Sequence, residues 1–204
     1  MPKPKPDPKT KPPSQAELIS GLAEVLLRPA CQSIDFSYHG FRVNGRGYRA
    51  VVSAVSEGKI HLVISDKALR NNALAGFDGV DTIKFAPNFT FSAPAAEMTL
   101  VHESTHASFA VQYPGTRMST LNNEALAYLA MTIYNRLVPP TAQDPWTDFT
   151  GLWSSALSAA KNVRRGAEID ETTMKTITDG IMSDSRVQSE LIGTPTSNFD
   201  GLPK

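Results

Sequence analysis

Apolar positions change their spacing several times along this 204-residue chain, and each change marks a different kind of element. Leu18, Leu22, Val25 and Leu26 recur at intervals of three and four, which predicts a helix over 15–28. Ser14 and Glu17 supply a capping box at its start, and Pro29 closes it. From Ser33 to Ile64 the composition shifts to β-branched and aromatic residues in three runs, 33–38, 48–55 and 60–64. His39-Gly40, Asn44-Gly45 and Glu57-Gly58 separate the runs with turn formers, so the segment is expected to fold as strands of a small, mostly antiparallel sheet. A short helix over 66–75 leads to a further strand at Thr82–Phe85. Asn88–Phe91 extends that strand as an edge piece past Pro87.

Beyond Ser92 the pattern is helical. Ser92 is the expected N-cap of a helix over 93–111, with Pro94 in its first turn and Pro114-Gly115 ending it. Thr120 is the expected cap of a second helix over 121–137, which stops before Pro139-Pro140. Trp146–Val163 carries an apolar stripe. Asp170 caps a segment containing Met174, Ile177 and Ile181, and a short helix over 184–192 follows. Residues 1–13 form a Pro/Lys tract with nothing to bury, expected to be an extended tail or linker, and the Gly/Pro/Ser/Thr-rich residues 193–204 a loose tail. The plan is a single domain over 14–192 of α+β class, its sheet from 33–91 packed on the helix over 93–111, with a mainly helical C-terminal half.

Composition narrows the function without naming it. Twenty acidic and twenty basic side chains cancel, so no net field draws the chain to nucleic acid or to an anionic membrane. No apolar run reaches the roughly 20 residues of a membrane span, and the N-terminus lacks the apolar core of a secretory signal. A cytoplasmic protein is expected, unless it is exported by a non-classical route. Cys31 is the only cysteine, which excludes an internal disulfide and a cysteine-rich zinc module.

The candidate chemistry lies in His102-Glu103-Ser104-Thr105-His106. On a helix, positions i and i+4 share a face, so two imidazoles can address one metal ion while Glu103 handles protons. Zinc catalysis needs a third protein ligand and an open position for water. Glu97 lies five positions before His102, a net rotation of roughly 140°, and so faces away. His61 alternates with Ile60 and Leu62, and reads as a surface residue. Without a metal, His102 and His106 would be a buried hydrogen-bonded pair.

The motif resembles that of the zincin metallopeptidases, and the residues after it discriminate among their branches. Phe109 and Gln112 stand where metzincins have a glycine and a third histidine. Gly115-Thr116 begins like the aspzincin element, but Arg117-Met118-Ser119-Thr120 offers no aspartate. Asn123-Glu124, with the glutamate eighteen positions after His106, fits the gluzincin pattern. The resemblance covers roughly residues 82–137. It implies a zincin-like fold and a zinc ion held by His102, His106 and Glu124. Tyr128 departs from it, standing where many gluzincins place an aspartate that orients a histidine ligand.

What the resemblance implies is peptide-bond hydrolysis by a zinc-activated water, with Glu103 as general base and a protein or peptide as substrate. Lys84–Phe91 would be the strand along which the substrate lies. Tyr128, Tyr134 and Tyr113 are candidates for orienting a ligand or donating to the oxyanion, beside Arg117 and His39. Two alternatives stay open. One is a zinc-binding but inactive zincin-fold interaction domain. The other is the protease end of a larger secreted toxin or effector, joined to a delivery or partner module through the Pro/Lys tract.

Overall fold

The computed structural model describes residues 13–66, 69, 73–138, 150–184, 187–188 and 196–199. Helix α1 (Gln15–Leu26) starts on the expected capping box: Ser14 Oγ accepts from Glu17 N–H, and a Glu17 oxygen accepts from Ser14 N–H at 2.6 Å. Its stripe of Leu18, Leu22, Val25 and Leu26 is buried. A short helix α2 (Pro29–Ser33) follows directly, then strands β1 (Asp35–Tyr38) and β2 (Phe41–Asn44) in an antiparallel hairpin.

The run 48–55 is not a strand. Helix α3 spans Gly45–Ser56, with Asn44 Oδ1 accepting from Gly47 N–H at 3.0 Å as its N-cap. Tyr48, Val51, Ala54 and Val55 are buried, a spacing of three, three and one that belongs to a helix and not to a period of two. The valines argued for a strand by composition. Burial of one helical face outweighs that preference, which is worth at most a fraction of a kcal/mol per residue.

Strands β3 (His61–Ile64), β4 (Ala75–Phe77) and β5 (Thr82–Phe85) follow. Residues 66–75 fall largely outside the described residues, and the expected helix there does not reach its end, because Ala75 opens β4. Asn88–Phe91 is a turn, not an edge strand. Phe89 N–H donates to Ala86 C=O, and Phe85, Phe89 and Phe91 pack their rings 4.6–5.9 Å apart. Helix α4 (Pro94–Gln112) comes next, with Ala93 and not Ser92 at the N-cap position and no side-chain cap. Strand β6 (Thr116–Ser119) leads into helix α5 (Thr120–Leu137), capped by Ser119 and not Thr120. Helix α6 (Thr150–Asn162), strand β7 (Ala167–Glu168) and helix α7 (Glu171–Ser183), capped by Asp170 as expected, precede strand β8 (Thr196–Phe199). The helix expected over 184–192 lies mostly outside the described residues.

The class is α+β, but the single sheet expected from 33–91 is divided. One sheet has the order β2-β1-β7, a second β3-β5-β4, and β6 pairs with β8. In the first, β7 joins β1 in parallel from more than a hundred residues away, a pairing that local pattern cannot announce. In the second, β3 and β5 run parallel while β4 runs antiparallel to β5 at the edge. Residues 196–199 are therefore a strand and not part of a loose tail.

The core closes around α4. Ala96, Met98–His102 and Ser104–Ala110 are all buried, so this helix presents no solvent face over its middle turns. Its small hydroxyl residues are accommodated by bonding back along the helix: Thr99, Thr105 and Ser108 donate to Ala95, Val101 and Thr105 C=O at 2.8–2.9 Å. Leu100, Val101 and Phe109 are fully buried, together worth about 5–9 kcal/mol relative to exposure. These contacts anchor α4 in the core. Among the described residues, no helix is long and apolar enough to cross a membrane.

Candidate metal centre

Helices α4 and α5 pack side by side and antiparallel, as their contacts show. His106 meets Asn123, His102 meets Glu124 and Tyr128, and Glu97 meets Tyr134, so positions on one helix rise as those on the other fall. The reversal is made by Tyr113 to Ser119. Gly115, at φ +77°, takes a left-handed conformation that an L side chain rarely adopts. Ser119 Oγ then caps α5 by accepting from Asn122 N–H, which sets Asn123 and Glu124 in the opening turns of α5 beside the histidines.

Four donor atoms converge there. His102 Nε2 and His106 Nε2 lie 3.1 Å apart, His102 Nε2 lies 3.2 Å from Glu124 Oε2, and His106 Nε2 lies 3.4 Å from Glu124 Oε1. The three residues form a group that could hold a metal ion. Both histidines are buried, while the Glu124 side chain keeps 24% of its surface exposed, which leaves one side of the group open to solvent.

The electrostatics keep Glu124 anionic. Burial pushes its carboxyl up, but the charge that His106 carries when protonated, and the hydrogen bond and charge of His102, outweigh it and bring it down to about 2. Glu124 is thus a carboxylate at neutral pH. His106 Nδ1–H donates to Asn123 Oδ1 at 2.9 Å, which fixes its tautomer and leaves the Nε2 lone pair facing the centre. Asn123, named from the sequence only as the neighbour of Glu124 in the Asn-Glu pair, is the residue that orients His106. Its signal was its place directly before Glu124.

His102 is held differently. Its Nδ1 is buried without a hydrogen-bond partner among the described residues, and Tyr128 meets its ring edge-on at 4.5 Å between centroids. Tyr128 contacts the centre with its ring, and does not accept the imidazole N–H. The other two tyrosines serve elsewhere. Tyr113 accepts the Arg42 N–H through its hydroxyl at 2.7 Å, and Tyr134 donates to Glu97 at 3.0 Å beside Arg28. Glu97 also takes the Arg28 guanidinium at 2.6 Å, in agreement with its placement away from the motif's face. His39 bonds Glu171 on α7 at 2.6 Å, Arg117 is exposed on β6, and His61 is exposed on β3.

Glu103 reaches another element. Its Oε2 accepts the Phe77 N–H of β4 at 2.7 Å. The sheet order bears on the strand expected to take a substrate. β5 lies between β3 and β4 with both sides paired, and 88–91 is a turn, so the segment 84–91 has no free edge. The edge strand beside α4 is β4. Compared with known protein-family models, curated proteins and solved structures, the chain matches none.

Proposed function

We propose that the protein is a zinc-dependent metallopeptidase in which His102, His106 and Glu124 hold the metal and Glu103 is the general base. The convergence of the three ligand side chains carries this reading. Zinc bonded to nitrogen and oxygen at about 2.0–2.2 Å in a tetrahedron sets its ligand atoms roughly 3.3 Å apart; His102 Nε2 lies 3.1 Å from His106 Nε2 and 3.2 Å from Glu124 Oε2, while His106 Nε2 lies 3.4 Å from the other Glu124 oxygen. Two imidazoles and one carboxylate are a poor set for calcium or magnesium, which favour oxygen at six or more positions. Two Nε2 atoms so close also need a cation or a shared proton between them, because two lone pairs facing one another repel.

Bound zinc supplies a water whose pKa is lowered to ~7 and a Lewis acid for the substrate carbonyl. The chain's own groups do the rest. Glu103 would take a proton from the attacking water and pass it to the departing amine, so that water adds across the peptide bond to give a carboxylate and an amine. Asn123 keeps His106 in the tautomer that can ligate. Strand β4 stands at the edge of its sheet beside α4, and the substrate in this reading is a protein or peptide.

Metal analysis of the purified protein tests the centre, and Glu103→Gln tests the chemistry. Near one zinc per chain is expected in the wild type and in Glu103→Gln, with peptide cleavage only in the former. Less than about 0.2 zinc per chain after reconstitution rejects the reading, since three converged ligands should bind tightly. One observation favours an inactive zinc-binding domain instead: the Tyr113 and Tyr134 hydroxyls are both engaged away from the centre. Full zinc occupancy with no cleavage across a broad peptide library would establish that alternative.

A further inference from the structure

Strand β4 carries two kinds of main-chain amide. Asp78 N–H donates to Thr82 C=O, and Leu74 C=O accepts from Ala86 N–H, at 3.0 and 2.8 Å, so positions 74, 76 and 78 face β5. Alternation along an antiparallel ladder turns Ala75 and Phe77 the other way, toward the side on which no described strand pairs. An edge amide would ordinarily face water. That of Phe77 instead donates to a Glu103 carboxylate oxygen, across 26 positions of sequence. A hydrogen bond to a carboxylate is shorter and roughly twice as strong as a neutral one. A glutamate side chain has three rotatable bonds, and a displacement of about 1 Å at a reacting group costs on the order of a hundredfold in rate.

We propose that the Phe77 main-chain amide is a positioning group for Glu103. The proposal rests on the metallopeptidase reading for its functional half.

The first test needs neither metal nor activity. Amide hydrogen exchange of the metal-free protein, read by NMR, should show Phe77 exchanging at least about tenfold faster in Glu103→Ala than in wild type. Glu103→Gln, which keeps an acceptor oxygen, should retain most of the protection. Unchanged Phe77 exchange in Glu103→Ala overturns the tether. The second test uses the zinc-loaded enzyme. Phe77→Pro deletes a donor that the ladder does not use, and should lower kcat about a hundredfold with KM and zinc content kept. Phe77→Leu, which keeps the amide, should exceed Phe77→Pro in kcat at least tenfold. A rise in KM with kcat preserved overturns the proposal, because the amide would then be binding substrate. If Phe77→Pro does not fold, the exchange experiment decides alone. Exchange as expected in a protein that cuts no peptide rejects the peptidase reading, whereas a cleaving enzyme with unchanged exchange rejects the tether.

Discussion

Asn123 and Glu124 are neighbours in sequence with separate tasks, and each predicts a different loss. Glu124 contributes the anionic donor, so Glu124→Ala should abolish stoichiometric zinc binding, as read by metal analysis. Asn123 reaches the metal site through His106 Nδ1. Asn123→Ala should weaken zinc affinity 10–100-fold while the protein still binds one ion at saturation, measured by competition with a chromophoric chelator. Loss of affinity as complete as that of Glu124→Ala would place Asn123 among the ligands themselves. At the same scale, the partly buried Arg28–Glu97 pair is bonded further by Tyr134 and Glu24. Glu97→Ala leaves Arg28 without its closest anion and should cost about 1–2 kcal/mol in urea unfolding, moderated by the exposure of Arg28.

At the scale of elements, the turn between β4 and β5 is where pH should act on the edge strand. Burial pushes the Asp78 carboxyl up, but N–H donors from Val80, Thr82 and Asp81, together with Lys84, draw it below its ordinary value of 3.8. A carboxyl lower in the folded state stabilises that state above the unfolded pKa, and the contribution is lost as pH falls through the folded value. Asp78→Asn should therefore lower Tm at pH 7, and the gap from wild type should narrow as pH falls below about 4 and close only below the lowered folded value, where both side chains are neutral. A gap unchanged at the lowest pH at which the protein still folds would assign the effect to shape and not to charge. Helices α6 and α7 meet where Gly180 lies against Ser155. A Cβ at 180 would come within 2.7 Å of Ser155 Cβ, which cannot swing away. Gly180→Ala gains about 1 kcal/mol of helix propensity, yet overpacking of about 1–3 kcal/mol should make it net destabilising. Ser155→Gly in the same chain should recover part of the loss.

For the whole molecule, a metal held by His102, His106 and Glu124 would be coupled to folding through α4 and α5, because those residues are shared between two helices that both belong to the core. Zinc at a thousandfold above its Kd should add about 4 kcal/mol to unfolding, which is roughly 10 °C in Tm for a chain of this size. The increment should vanish in Glu124→Ala, with differential scanning calorimetry as the measurement. The proposed chemistry has the same architecture. The ligands come from α4 and α5, the base from α4, and the strand that holds the base from a sheet edge 26 positions earlier. Any variant that separates β4 from α4 should then reduce turnover before it reduces zinc content.

The sequence by itself determined the pieces whose physics is local. Ser14-x-x-Glu17 and Asp170 cap helices because a side-chain oxygen reaches an N–H three residues on. His102 and His106 share a face because four residues make about one turn, and Glu97 is turned away for the same reason. Asn123-Glu124 was marked as the completion by resemblance, and the structure brings it to the histidines. The tertiary structure decided whatever depends on a distant partner. Val51, Val52 and Val55 read as strand by composition, yet sit on α3 because one face of that helix is buried against the core. β7 and β8 are too short to be recognised without β1 and β6, which they pair with across more than 70 positions. The edge strand passed from 84–91 to β4 because β5 is enclosed on both sides, a property of the assembled sheet that no segment of sequence carries. The contacts of Tyr128 and the Phe77 amide were settled in the same way. Their chemistry depends on which atom faces which across two packed elements, and only packing fixes that.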